Sequence, residues 1–302
     1  MTIHTKGKGN ISARIIQDSI NSEHRIVTFE LEYPRFIHSE LMTHRVFSRN
    51  AASSRAIPVA KMHENIRTNP ATPVWWGKNQ PGMQAKEEVH DIESAKMLWQ
   101  SAIDVSLNSA QQLLDVGLHK QIANRVTEFG QMMKTIVTST EWDNWFQLRD
   151  HEDAQPEIRE LAQCMKDAMT IHYPMPIAYK EWHVPYVERH VDNHGKLRYV
   201  SDGKEISKED AIVISASCCA QVSYRNNDTS LEKARDIFDR LINSKPQHAS
   251  PIEHQATPMK ITKMIFDNHP ERWEDGITHV ARNRDFFSGN FRGWLQYRQL
   301  IA

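Results

Sequence analysis

Thirteen consecutive residues, Thr43-His44-Arg45-Val46-Phe47-Ser48-Arg49-Asn50-Ala51-Ala52-Ser53-Ser54-Arg55, contain three arginines, three serines, one histidine and one asparagine. Such a mixture is suited to holding anions. A guanidinium meets phosphate or carboxylate oxygens through two parallel N–H donors, and serine hydroxyls with nearby backbone N–H groups complete the cradle. Taken alone, an arginine-rich stretch is ordinarily a solvated loop. The run of Ala51, Ala52, Ser53 and Ser54 argues for more, because small side chains let a ligand approach the backbone. Two later arginines have similar potential. Arg125 falls among Ile122, Ala123, Val126 and Phe129, where a charge needs a partner, and Arg149 ends an aromatic stripe of Trp142, Trp145 and Phe146.

The elements that must position these groups are legible to different degrees. Ser12 to Ile16 and Ile26 to Leu31 alternate as strands do, with Tyr33-Pro34 closing the second run. Phe36 to Met42 starts a helix leading into the basic stretch. Residues 56 to 90, with Pro58, Pro70, Gly77, Pro81 and Gly82 around Val74-Trp75-Trp76, are expected to form a long loop with an aromatic plug. A helix follows from Asp91, its cap, to about Val116, with Gly117 as its stop. A second helix is expected from about His119 to Met133. Thr135 to Thr140 is β-branched and reads as a strand or the stiff start of a helix. A further helix opens with Asp153 as N-cap and Pro156 in its first turn. Residues 171 to 210, rich in proline, histidine and charge, look like a connector between a core at 1–170 and a C-terminal segment at 211–302 that completes it. Within this connector, Val191 to Leu197 signals a hairpin. Ala211 to Cys219 reads as strand-like, and Ser230 caps a helix beyond it.

Composition narrows the function. The 302-residue chain has a net charge of −1, so no global basic field points to nucleic acid or an anionic membrane. No apolar run reaches the roughly 18 residues of a membrane span, and no apolar signal segment follows the N-terminus. A cytoplasmic protein is expected. Three cysteines, Cys164, Cys218 and Cys219, cannot build a disulfide framework and read as reduced, inert thiols. His183, His190 and His194 form the closest histidine cluster, and spacing of that kind in a connector reads as surface histidine with no metal.

The run His44-Arg45-x-x-Ser48-x-Asn50-x-x-Ser53-x-Arg55 resembles the signature of the flavin-dependent thymidylate synthases, with Thr43 where that family carries an arginine. Asn144-x-x-x-x-Arg149 followed by Ala154-Gln155-x-Glu157-Ile158 is similar to a second block. Ala220-x-Val222-Ser223-Tyr224 and His248-x-Ser250-Pro251-x-Glu253-His254 are similar to two more. In the family these last two precede the basic motif, whereas here they follow it, so the chain looks like a rearranged relative. Glu23-His24 is a second match for the Glu-His position, and Glu253 is preferred because its whole block matches. Further departures are Glu40 for glutamine, Ala51 for glutamate and Asp153 for histidine.

The resemblance implies an α+β fold, a twisted and mainly antiparallel sheet flanked by helices, assembled as a homotetramer with sites shared between subunits. It implies reductive C5-methylation of dUMP to dTMP on FAD, with methylenetetrahydrofolate and NADPH as co-substrates. Hydroxymethylation, or action on dCMP, is the related alternative. It assigns Arg149 and Glu253 to catalysis, and Glu40, Ser53, Ser54, Arg55, Arg125 and Arg149 to the nucleotide. The flavin falls to His44, Arg45, Asn50, Asn144, Asp153, Ser223 and Ser250. A reading of another class is a non-catalytic nucleotide- or RNA-binding protein that stacks bases on Trp75, Trp76 and Trp142.

Overall fold

The computed structural model describes residues 3–53, 55–223, 228–265 and 269–301. Ser54 and Tyr224, both part of the motifs above, lie outside the described residues. The first strands and helices are β1 (His4–Lys6), β2 (Ser12–Ile20), β3 (Arg25–Pro34), α1 (His38–Met42), β4 (Ser48–Ala51), α2 (Val59–Thr68), α3 (Ile92–Asp115) and α4 (Lys120–Ala123). Then come β5 (Met132–Ser139), α5 (Asp143–Arg149), α6 (Pro156–Ile171) and β6 (Met175–Pro176). The strands make one sheet in the order β1-β2-β3-β5-β4, antiparallel throughout, with the short β6 added in parallel to β2. The fold is α+β, a mainly antiparallel sheet flanked by helices.

Alternation along β3 decides what each face meets. Val27, Phe29, Leu31 and Tyr33 point into a core with Trp142 and Trp145 of α5 and Ile158, Leu161 and Met165 of α6. Ile26 and Thr28 point the other way, toward the C-terminal third. That third contains β7 (Glu188–Val191), β8 (Leu197–Ser201), β9 (Lys204–Ile206), α7 (Lys208–Ala220) and α8 (Leu231–Asn243). It ends with β10 (Ala256–Pro258), β11 (His279–Val280), β12 (Phe286–Ser288), β13 (Phe291–Arg292), β14 (Trp294–Gln296) and α9 (Tyr297–Leu300). Ile26 joins Trp182, Ile212, Cys218, Phe291 and Trp294 in a second core, and Ile136 of β5 packs on Cys219 and Val222.

Between these apolar contacts runs a chain of buried hydrogen bonds. Arg189 Nη1 donates to Ser19 Oγ, which lies 2.8 Å from His183 Nδ1. His183 Nε2 lies 2.8 Å from Thr28 Oγ1, Thr28 Oγ1 lies 2.7 Å from Thr138 Oγ1, and Thr138 Oγ1 lies 2.8 Å from His254 Nδ1. Arginine can only donate, so each hydroxyl is satisfied by passing its own hydrogen onward, and the last hydrogen falls on His254 Nε2, which is buried without an acceptor. The series ties β2, β3 and β5 to the C-terminal layer.

Several expectations hold. Asp91 caps α3 by accepting from the Ser94 N–H, Thr135 to Ser139 is strand, and β7 and β8 form the expected hairpin. Others are corrected. Residues 56–90 are not all loop: Met62, His63 and Ile66 form the buried face of α2, against Ile103 and Leu107 of α3. The helix expected at 119–133 is one turn of α4 followed by a 3-10 segment, Asn124–Gly130. There the Thr127 hydroxyl and the Gln131 amide take the Asn124 carbonyl, diverting it from an α-helical ladder. Asp153 does not cap α6: Pro156 occupies the first helical position and Gln155 is the cap. Ala211 to Cys219 is helix, not strand. Ser207 caps α7 by accepting from the Asp210 N–H, and burial on every side erases the 3.6-residue pattern. His183 is fully buried rather than at the surface, because both ring nitrogens find hydroxyls. Among the described residues no helix is long and apolar enough to cross a membrane.

Candidate active site

Packing of the aromatic stripe on α5 sets the position of Arg149. Trp142 meets Phe29 edge-on at 5.4 Å, and Trp145 is almost wholly buried beside Phe47. Arg149, four residues beyond Trp145, is thereby brought from the end of α5 to the end of α1. Its Nη1 lies 3.1 Å from Glu40 Oε2, its Nη2 3.1 Å from Thr43 Oγ1 and its Nε 3.1 Å from His44 Nε2. The His44 ring stands edge-on to Trp145 at 4.7 Å. Burial, then the positive charges of Arg149 and Arg49, push the His44 pKa down to about 4. At neutral pH the imidazole is uncharged, and because its Nε2 accepts from Arg149, the proton sits on Nδ1. Burial raises the Glu40 carboxyl, an effect opposed by Arg149 and reinforced by Glu157. Glu40, Arg149 and Asp153 line a cavity of about 1040 Å³ walled by Phe36, Trp75 and Trp99.

The three arginines of the basic stretch separate by role. Arg49 turns back to the carbonyls of Leu41, Met42 and His44 at 3.4, 2.8 and 3.1 Å, closing the end of α1 and fixing the backbone that carries His44. Arg45 and Arg55 are exposed, and their side chains make no hydrogen bond or ion pair with a described residue. Arg55 lines a second cavity, about 400 Å³, with Ser53, Arg125, Ala51 and Ala52. Arg35 lines it too, a residue the sequence reading missed. Its only signal was a cation set directly after the strand-ending Tyr33-Pro34. Arg125 finds its partner in Glu128, at 2.6 Å.

The late blocks fold back onto this stretch. The Asn50 amide donates to the Cys219 carbonyl, Ser250 Oγ lies 3.4 Å from Asn50 Oδ1, and the Ser53 N–H donates to Ser223 Oγ at 2.9 Å. Glu253 follows on the same turn. Its carboxylate pairs with Arg298, and burial raises its pKa against the pull of Arg298 and Arg49. The structure therefore brings together Glu40, His44 and Arg149, with Asp153 on the wall of the same cavity. It also brings together Ser53, Arg55 and Arg125, and Asn50, Ser223 and Ser250. Asn144 is exposed on α5 and lines neither cavity. Glu23, the other Glu-His match, is bonded to Thr262 instead.

The cysteines lie apart from this chemistry. All three are free and buried, and burial pushes the Cys164 and Cys218 thiols up to about 12. Among the described residues no group of three or more histidine, cysteine or acidic side chains could hold a metal ion. Trp142 is core, which removes it as a stacking surface.

Residues 15–175 match the family model described as thymidylate synthase complementing protein. A flavin-dependent thymidylate synthase from Aquifex aeolicus (strain VF5) is 28% identical over 148 residues, 46% of this chain and 44% of the relative. The chain thus spans less than half the length of that curated relative. Two solved structures of a UMP/dUMP methylase, PolB, from Streptomyces cacaoi are also similar. The one bound with 5-Br dUMP is 24% identical with a TM-score of 0.39, covering 49% of this chain and 68% of that one. The one bound with 5-Br UMP is 20% identical with a TM-score of 0.44, covering 55% and 91%.

Proposed function

The chain belongs to the thymidylate synthase complementing protein family, and on that premise we propose that it is a flavin-dependent enzyme methylating C5 of dUMP to give dTMP, with methylenetetrahydrofolate as carbon donor and NADPH as reductant. The observation that carries this reading lies partly beyond the matched residues. Ser223 and Ser250, 170 and 200 positions further along the chain, hydrogen-bond to Ser53 and Asn50 of the basic stretch. The rearranged blocks thus reconverge at the stretch they would serve.

Each group has a part. Arg55 and Arg125 grip the nucleotide phosphate, with the Ser53 hydroxyl beside them. Arg149 spends three of its five N–H donors on Glu40, Thr43 and His44 and keeps two for ring oxygens as negative charge develops on the pyrimidine. His44, neutral and locked against Trp145, orients that guanidinium. Burial raises the Glu253 carboxyl above the ordinary carboxylate range, which makes it the better proton carrier of the pair it forms with Arg298.

The donors present fit a flavin dinucleotide. Arg45, free of partners among the described residues, suits its pyrophosphate. The Asn50, Ser223 and Ser250 cluster offers amide and hydroxyl contacts, and His44 and Asp153 at the Arg149 site offer imidazole and carboxylate, whereas Asn144 is exposed outside both cavities and has no part in this fit. When bound, the flavin supplies hydride transfer, so no enzyme thiol is required. The proposal extends to assembly as a homotetramer whose sites draw on several subunits, as the family resemblance implies.

A related reading, dCMP as substrate or a hydroxymethyl product, is favoured on the substrate side by Glu40, since a carboxylate accepts from an exocyclic amino group. The test of the main reading is a flavin absorption spectrum on the purified protein, followed by mass analysis of the product from dUMP with methylenetetrahydrofolate and NADPH. Colourless protein that turns over neither dUMP nor dCMP sinks it.

A further inference from the structure

We infer that Arg35 is a third phosphate-binding guanidinium, and that it matches the smaller cavity to a phosphomonoester dianion. This rests on the reading that the cavity takes the nucleotide's phosphate, and it goes beyond the sequence blocks, which point only to Arg55 and Arg125.

Three arginines reach this cavity from separate places: Arg35 from the end of β3, Arg55 from the turn after β4, and Arg125 from the 3-10 segment after α4. One carboxylate answers them. Glu128 Oε1 accepts from Arg35 Nη2 at 2.8 Å and from Arg125 Nη1 at 2.6 Å. Arg35 Nη1 also lies 3.4 Å from Gln131 Oε1. Three guanidinium charges less one carboxylate leave a formal +2 around the cavity, while a phosphomonoester carries about −1.5 to −2 at pH 7. Burial separates two of the three: the Arg35 side chain is 18% exposed and that of Arg125 57% exposed, so the Arg35 charge is the less screened by solvent. Ala51 and Ala52 line the same cavity with small side chains. The alternative is that Arg35 only pins Glu128 and the 3-10 segment to β3.

Equilibrium binding of dUMP and of deoxyuridine to the flavin-loaded protein separates the two roles, because only dUMP carries the phosphate. Arg35→Gln, which keeps a hydrogen-bond donor for Glu128, is expected to weaken dUMP binding roughly 10- to 100-fold and leave deoxyuridine unchanged. Arg35→Lys, which keeps the charge, is expected to fall between. Equal loss for both ligands, or no loss for either, overturns the inference. Arg55→Ala serves as the companion variant: phosphate-dependent loss there and none in the Arg35 variants overturns the Arg35 role alone. A wild-type protein that binds dUMP no better than deoxyuridine overturns the phosphate reading of the cavity itself, and the Arg35 role with it. Circular dichroism on each variant checks folding, and Arg35→Lys carries the test if Arg35→Gln does not fold.

Discussion

Arg149 Nη1 and Glu40 Oε2 lie 3.1 Å apart on the wall of the larger cavity, half-shielded from water, with the neutral His44 imidazole against the same guanidinium. A charge pair in this position sets both the strength and the hydrogen-bonding pattern of what binds beside it.

Arg149→Ala is expected to lower kcat by roughly 10²- to 10³-fold, the usual cost of losing a donor aimed at developing charge. Flavin content, read from the absorption spectrum, should stay close to that of the wild type, because among the described residues Arg149 bonds Glu40, Thr43 and His44, and of these His44 alone belongs to the flavin set. A variant with wild-type turnover removes Arg149 from the pyrimidine site.

Glu40→Gln is expected to favour uracil over cytosine nucleotides. Glu40 offers only acceptors to a base, which suits the cytosine amino group and repels the uracil O4, whereas glutamine supplies a donor for O4. The change in preference should correspond to about 1–3 kcal/mol, the range for one well-made base contact. Competition binding of dUMP against dCMP reads it, and an unchanged ratio takes Glu40 away from the base.

Acid should destabilise the fold through its buried histidines. His44 and His254 have pKa values near 4 and 3, depressed by burial from an ordinary value near 6.5. The unfolded chain therefore binds more protons than the native one as pH falls below 6.5. The stability these groups contribute is complete above that pH and is lost progressively toward their native values. Thermal melts from pH 7 to pH 4 should show a falling Tm, with a shallower fall in His44→Gln. A variant whose Tm drops as steeply as the wild type's removes His44 from the effect.

Cys218→Ala and Cys219→Ala, made singly, are each expected to keep turnover within a few-fold of wild type while unfolding at lower urea, by about 1 kcal/mol for a small buried truncation. Native protein should also resist a thiol reagent that labels the urea-unfolded chain. Loss of turnover in a variant that remains folded points to a covalent thiol mechanism.

The sequence disclosed elements whose faces differ in chemistry or whose ends carry a cap. β3 alternates because its two faces meet different partners, and α3 shows Asp91 and Gly117 at its ends. α7 was misread because it is buried all round, so nothing in its pattern separates helix from strand. α2 was missed because Pro58 and Pro70 bracket it and only Met62, His63 and Ile66 turn inward. In the site, Arg55 and Arg125 were legible from type and spacing, and they line one cavity. Arg35 was not, because its relevance comes from pairing between β3 and β5, more than 90 residues apart in the chain, which brings it to Glu128. The clustering of Asn50, Ser223 and Ser250 likewise comes from tertiary packing that no local pattern encodes.

The polar seam running from Arg189 through Ser19, His183, Thr28 and Thr138 to His254 behaves as one unit. Removing a single member strands its neighbours without water to replace it, so double-mutant cycles between Thr28 and Thr138 should be strongly non-additive. Simultaneous exchange of several members for apolar groups of similar shape should cost less than the sum of the single losses. Recombining the N-terminal half with a foreign C-terminal half would succeed only where both halves carry the same run of donors and acceptors.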